Sequence, residues 1–265
     1  MNWIKKNVTS YLSKSTFTDE KLKLTNSNPS EHELKVLKHS PGGWSIDKPV
    51  AEAIIALVKE KKINRVVEIG AGFSTIVFHF TMPKISPNYE VFSIEENVDW
   101  FKIPSELKEL VDRDSMGFYT GRIRFVFGIF GIHASYQIPE KKNLKYGVEL
   151  VFVDGPQYYY GREGALDGVY DKLKVGCLIV MDDAERYTEQ CVIYKWLKVY
   201  KGLELIYFKE KFGDKGLAIL EVKMPLKRQF SLDAFLLGSM QGIKRLLNFK
   251  TIREKQNFLK SNELN

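Results

Sequence analysis

Cysteine is nearly missing: Cys177 and Cys191 are the only two in 265 residues. Cys177 falls in a strand-like apolar pattern and Cys191 in a helix-like one. Buried thiols are therefore expected, and neither a disulfide framework nor a thiolate metal site. No apolar run approaches the length needed to cross a bilayer. The first residues, Met1-Asn2-Trp3-Ile4-Lys5-Lys6, lack the apolar core and small-residue cleavage site of a secretory leader. A reducing, cytoplasmic setting is the expectation. Internal repeats and low-complexity segments are also missing, which excludes solenoid and disordered classes.

What is present is ordinary for a globular protein: 44% hydrophobic and 13% aromatic residues. The length suits one large domain with extensions. The net charge of +7 is unevenly placed. From Met224 onward, eight bases (Lys227, Arg228, Lys244, Arg245, Lys250, Arg253, Lys255, Lys260) face three acids (Asp233, Glu254, Glu263), an excess of five. Such a tail attracts anions in general and identifies none.

The chain is organised around Val66-Val67-Glu68-Ile69-Gly70-Ala71-Gly72-Phe73-Ser74-Thr75. Val66 to Ile69 reads as a short buried strand. Gly70 and Gly72 allow a tight turn and room for a ligand against the main chain. Ile76-Val77-Phe78 restarts an apolar pattern read as a helix, with Ser74 and Thr75 placed to cap its first amides. Strand, glycine turn and helix open a nucleotide-binding crevice in a doubly wound sheet. A dinucleotide fingerprint would put a third glycine or alanine where Thr75 stands. Glu68, a carboxylate in the strand itself, would repel a pyrophosphate and suits a cation.

At this point the chain resembles the class I S-adenosylmethionine-dependent methyltransferases, whose first motif is an acid-x-Gly-x-Gly turn. The Gly-x-Gly-x-Ser-Thr spelling, with Phe92-Ser93-Ile94-Glu95-Glu96-Asn97 and Trp100 downstream, resembles a bacterial group within them. The resemblance implies a doubly wound, mostly parallel seven-stranded α/β sheet. It also implies S-adenosylmethionine contacts at Glu68, Gly70, Ala71, Gly72, Ser74 and Thr75.

Around that motif the pattern divides the chain into an extension or cover (residues 1–45), a cofactor domain (46–223) and a basic amphipathic helical tail (224–265). Pro49 to Lys59 has a helical period. Trp44, in the turn cluster Ser40 to Ser45, either covers the cofactor mouth or packs on that helix. Glu90 to Glu95 reads as the second strand. Glu95 stands 25 residues after Gly70, where an acid reaches ribose hydroxyls; the alternative is a helix cap. Arg122 to Phe127 is expected as the third strand. Leu150 to Asp154, followed by the turn Gly155-Pro156, and Leu178 to Asp183 are expected as the fourth and fifth, with a helix from Gly164 to Leu173 stopped by Gly176. Glu204–Phe208 and Gly216–Val222 complete the sheet as a hairpin. Leu232, Leu236, Met240, Ile243 and Leu247 share one helical face, with Lys244 and Arg245 beside it. Docking onto the domain or onto a second subunit is its expected use; a membrane surface ranks lower.

Asp154, Asp182 and Asp183 end the fourth and fifth strands, so all three point toward one crevice. Their mutual repulsion calls for a counter-charge, and Mg²⁺ or another divalent cation would supply it. The arrangement resembles the catechol-type O-methyltransferases, in which a metal activates a substrate hydroxyl. That group carries a lysine base where this chain has Gln157. The alternative is ionic: Asp154 meets Arg162, and Asp182 or Asp183 caps the next helix. Candidate catalytic groups are Asp154, Asp182 and His133, which sits in the segment before the fourth strand and is otherwise a packing residue. Asp154-Gly155-Pro156-Gln157, Arg162 and Asp182-Asp183-Ala184-Glu185-Arg186 resemble the Gly-x-Gly-x-Ser-Thr group more than the catechol enzymes, and that resemblance implies Asp154 near the methyl donor and Arg162 and Arg186 as acceptor contacts. Gln157 and Tyr158 are further candidate acceptor contacts. The leading function is methylation of a small-molecule acceptor, favouring a hydroxyl. A macromolecular substrate for the basic tail, a non-catalytic cofactor-binding module and a nucleotide-dependent oxidoreductase are the competitors. There is no Asp-Pro-Pro-Tyr-like amine site and no Pro-Cys nucleophile, which disfavours base methylation.

Overall fold

A computed structural model describes residues 8–12, 22, 24, 28–40, 45–97, 99, 101–108, 117–138, 144–157, 159–248 and 251. Trp44, Trp100, Tyr158 and most of the tail beyond Asn248 lie outside the described residues. Residues 8–12 are helical. Helix α1 (Glu31–Lys38) starts at a capping box in which Ser30 and Glu33 exchange side-chain and backbone hydrogen bonds. Helix α2 (Lys48–Lys61) is capped by Asp47, whose carboxylate accepts from the Val50 amide at 3.0 Å.

The main sheet has seven strands in the order β3-β2-β1-β6-β7-β9-β8. Its parallel part is β1 (Arg65–Ile69), β2 (Glu90–Glu95), β3 (Phe118–Thr120), β6 (Val148–Val153) and β7 (Leu173–Asp182). The antiparallel hairpin β8 (Tyr200–Phe212) and β9 (Lys215–Arg228) closes one side. Helix α3 (Phe73–Thr81) follows β1, and α4 (Tyr187–Val199) follows β7. The sheet is buried on both faces, as the near-continuous apolar runs of its central strands require. Val67 and Ile69 face a core shared with Trp196 of α4, while Val66, Leu150 and Phe152 face α2 and α3. The period-two alternation of the strands divides the core in this way. The seven-stranded expectation is met in strand number and in the terminal hairpin.

The third strand is a correction. Residues 122–127 lie in β4 (Arg122–Gly128), which pairs antiparallel with β5 (Gly131–Gln137) as a separate two-stranded sheet. Phe118–Thr120 takes the place beside β2. Alternation correctly marks 122–127 as strand, but a partner two residues away in sequence captures it. The expected helix at 164–173 is also absent. Two short 3₁₀ turns, Glu163–Leu166 and Tyr170–Lys172, stand there. Gly164 and Gly168 both weaken an α-helix at this point. Gly176 lies inside β7, between the Leu173 and Leu178 pairings with β6, where the register shifts.

Helix α5 (Leu232–Leu247) forms as expected but docks by a different face. Its buried side is Ala234, Leu237, Gly238, Gly242 and Arg245. A Cβ on Gly238 would stand 1.9 Å from the Phe130 carbonyl oxygen, and one on Gly242 would stand 1.7 Å from that of Ile132. The absence of a side chain at both sites lets the helix lie directly on the β5 backbone. Arg245 then reaches Glu163 at 2.7 Å, beside the Lys195 ammonium that Glu163 also binds. Burial alone would push the Glu163 pKa up, but Arg245 and Lys195 outweigh it and hold the carboxyl well below its usual range. Cys177 and Cys191 are buried free thiols, as expected. Among the described residues, no helix is long and apolar enough to cross a membrane.

Candidate active site

The carboxyl ends of β1, β2 and β6 border a cleft of about 570 Å³. Gly70, Ala71, Gly72 and Phe73 form one wall. The turn is stitched to its neighbours: the Gly70 amide donates to the Ile94 carbonyl at 2.8 Å, and the Asp154 amide donates to the Ile69 carbonyl at 2.9 Å. Gly70 has φ +94°, and a Cβ there would stand 2.7 Å from the Gly155 nitrogen. The two strand ends are therefore in contact through bare backbone.

Glu95 lines the cleft at the end of β2. Burial raises its pKa to about 6 against the opposing pull of nearby amides at Asn97, Glu96 and Ala71. Asp154, Gly155, Pro156 and Gln157 line it after β6, and Tyr136 of β5 and Tyr159 add aromatic walls. Ser45 and His39 reach it from the segment before α2. Tyr136, Lys102 and Ile103 belong to the lining and escaped the sequence reading; Glu96, beside Glu95, lines it as well. Tyr136 carried a usable signal, since Gly131–Gln137 alternates apolar and polar residues as a strand does.

Glu68 does not line the cleft. It is fully buried, and its carboxylate accepts from Ser74 Oγ at 2.5 Å, Thr75 Oγ1 at 2.7 Å and Ser93 Oγ at 2.6 Å. Thr75 Oγ1 in turn accepts from the Gly72 amide at 3.1 Å. Ser74 and Thr75 thus lie under the turn, tied to Glu68 and not presented to the cleft. Strand alternation explains this: Glu68 shares the face of Val66, which is turned to α2 and α3. Its carboxylate shapes the glycine turn from behind.

Burial lifts the Glu68 pKa to about 7, well above the three hydroxyls' opposing effect. An acid with a raised folded pKa binds protons more tightly folded than unfolded. Its ionisation therefore removes stability as pH rises from the unfolded value toward about 7. Wild type is expected to lose stability between pH 5 and 8, and Glu68→Gln is expected to show a flatter profile. Denaturant midpoints across that range check this; parallel profiles would refute it.

Asp154, Asp182 and Asp183 do converge, with ligand atoms within 4.8 Å of one another. Cations are already among them. Arg162, 2% exposed, reaches Asp154 Oδ1 at 3.0 Å and Asp183 Oδ2 at 2.9 Å, and donates to the Asp182 carbonyl at 2.9 Å. Lys215 stands 3.4 Å from Asp182 Oδ2 and 3.4 Å from Asp183 Oδ1. Arg186 reaches Asp183 Oδ2 at 2.8 Å. Asp182 is fully buried, and its pKa is raised well above the usual carboxylate range by burial and by Asp154. Burial also raises Asp154, to about 6, with Arg162 opposing. Neither Asp182 nor Asp183 caps α4, whose N-cap is Arg186.

Only Asp154 of the three borders the cleft. Arg162 and Arg186 are engaged with the acids and do not line it, whereas Gln157 does. His133 lies in β5 and not in a loop, 2% exposed, with Nε2 2.7 Å from Asp167 Oδ2 and Nδ1 3.1 Å from the Gly131 carbonyl. It is outside the cleft lining, a packed residue that reads as structural.

Comparison with known proteins fits this geometry. Residues 67–184 match a family model described as a methyltransferase domain. The O-methyltransferase from Bacillus cereus, solved in complex with SAH, superposes with TM-score 0.53 at 15% identity, over 74% of this chain and 93% of that one. TomG from Streptomyces achromogenes, an O-methyltransferase involved in tomaymycin synthesis and solved with SAM, superposes with TM-score 0.51 at 14% identity, over 74% of this chain and 92% of that one. At such identities the likeness is one of fold. No curated protein matches the sequence. Residues 67–184 are thus similar to a methyltransferase domain, and the chain shares the Rossmann-like fold of the O-methyltransferases on which it superposes, with the glycine turn at the end of β1 and the acid at the end of β2.

Proposed function

We propose that the chain methylates a hydroxyl oxygen of a small-molecule acceptor and does so without a divalent cation. The observation that carries this reading is the cleft itself. It lies at the carboxyl ends of the parallel strands, and it joins the glycine turn, Glu95 and Asp154 in one space of about 570 Å³. Ligand sites of this volume take small molecules. The names of the two structural relatives, both O-methyltransferases, support the choice of oxygen.

When bound, S-adenosylmethionine supplies a methyl group on a positively charged sulfur. The glycine turn would admit the cofactor against the main chain, and Glu95 would hold its ribose hydroxyls. Phe73 offers an apolar wall to an acceptor, and Tyr136 and Tyr159 offer apolar faces with polar tips. Asp154 would take the acceptor's proton. Its pKa of about 6 leaves it ionised at neutral pH and close enough to that range to act as a base.

The donor set of the acid trio suits a hard cation by type. Arg162, Lys215 and Arg186 already supply three positive charges to three carboxylates, so a metal would have to displace them. Asp182 and Asp183, with these cations, therefore act as an ion-paired frame behind Asp154.

Labelled-methyl transfer to a panel of phenols and alcohols tests the assignment. Turnover is expected to rise as pH passes through about 6, to survive chelator, and to fall about 10²–10⁴-fold in Asp154→Asn. Titration of Mg²⁺ into wild type and Asp182→Ala is expected to give equal, negligible heats. Metal-dependent turnover, or transfer confined to amine acceptors, would overturn the reading.

A further inference from the structure

The outward face of α5 is the least expected surface of the molecule. Leu232 is 59% exposed, Leu236 51%, Met240 58%, Ile243 47% and Leu247 80%. These five residues form a continuous stripe on the face opposite the glycines that dock the helix onto β5. Isolated exposed apolar residues need no explanation, but a stripe running the length of a helix marks an interaction site.

We infer that this stripe pairs with the same stripe of a second copy, as antiparallel helices about a two-fold axis passing near Met240. The spacing is self-complementary. In antiparallel register Leu232 faces Leu247, Leu236 faces Ile243, and Met240 faces its own counterpart. An isologous contact requires that kind of match.

Charge selects this occupant. The exposed acid of α5 is Asp233 in its first turn, and its exposed base is Lys244 in its last. At 100° per residue both fall on the same flank of the stripe. A two-fold axis brings like flanks together. Asp233 of one copy then lies beside Lys244 of the other, offset by about 3 Å along the axis at 1.5 Å per residue. A parallel two-fold pairing would bring opposite flanks together and leave Asp233 and Lys244 without this contact. A lipid surface favours a helix with cations along both flanks of its apolar stripe, and here one flank carries an acid and a base. The inference is independent of the proposed reaction.

Sedimentation velocity of the full chain tests it. Wild type is expected as a dimer. Met240→Lys places two like charges face to face on an exposed position, and is expected to raise the dimer dissociation constant at least about tenfold with an unchanged melting temperature for the monomer. Asp233→Lys and Lys244→Asp are each expected to weaken the dimer, and the double variant to restore it. A monomeric wild type, a dimer untouched by Met240→Lys, or no rescue in the double variant would overturn the inference. If wild type is monomeric and binds anionic vesicles in a way that Met240→Lys abolishes, the face belongs to lipid and the proposal fails.

Discussion

Arg162→Met is expected to destabilise the fold by roughly 3–5 kcal/mol, the range for removing one partner from a buried ion pair. The guanidinium is 2% exposed and bridges Asp154 and Asp183, with Glu189 3.9 Å away. It also donates to the carbonyls of Pro156 at 3.3 Å and Asp182 at 2.9 Å. Methionine fills similar volume and satisfies none of these groups. The loss has a pH signature. Without Arg162 the buried acids bind protons more readily in the folded state, so the deficit is largest at alkaline pH and shrinks as pH falls toward 5. Arg186→Ala is the control. Its side chain is 35% exposed, so its pair with Asp183 is expected to contribute no more than about 1 kcal/mol. Chemical denaturation of both variants at pH 8 and pH 5 gives the comparison. An Arg162→Met variant within about 1 kcal/mol of wild type would mean that the acids are neutralised by other means, and would return the trio to the metal reading.

Gly70→Ala is expected to remove about 2–4 kcal/mol and to weaken S-adenosylhomocysteine binding by more than about tenfold. Two effects add. Alanine is strained at φ +94°, and its Cβ would stand 2.7 Å from the Gly155 nitrogen and 2.9 Å from the Asp154 carbonyl carbon. Both contacts are backbone, so no rotamer relieves them, and the turn that presents Asp154 must shift. Gly72→Ala separates the two causes. Gly72 has an extended φ of −169°, and a Cβ there meets nothing within 4 Å. It is expected to change stability by less than about 1 kcal/mol while still weakening the ligand by occupying its space. Calorimetric titration beside a thermal melt reads both quantities. Tight binding by a well-folded Gly70→Ala protein would show that the two strand ends need not touch.

Much of the fold was legible because its signals are local. Val66 to Ile69 has the density of β-branched carbon that marks a buried strand, and Gly70 and Gly72 follow where only a turn can stand. Glu95, two residues beyond Ser93, was placed on the cleft by strand alternation and its distance from the turn. The terminal hairpin and the helix at 232–247 followed from period alone. These features depend on how a few consecutive residues sit on one strand or helix.

What tertiary structure decided concerns pairs far apart in sequence. Residues 122–127 read as a strand, yet only folding shows that they pair with 131–137 and leave the main sheet to Phe118–Thr120. Glu68 reads as a ligand for a cation, but the contact of its strand face with α3 turns it onto Ser74, Thr75 and Ser93. Periodicity identifies an apolar stripe on α5 without telling which side docks. Gly238 and Gly242 decide that, because backbone contact at the bare face brings the helix closer than leucines would allow. The same holds for the three aspartates. Sequence alone placed them at adjacent strand ends, but the identity of their counter-charge depended on where the chain returned Arg162 and Lys215.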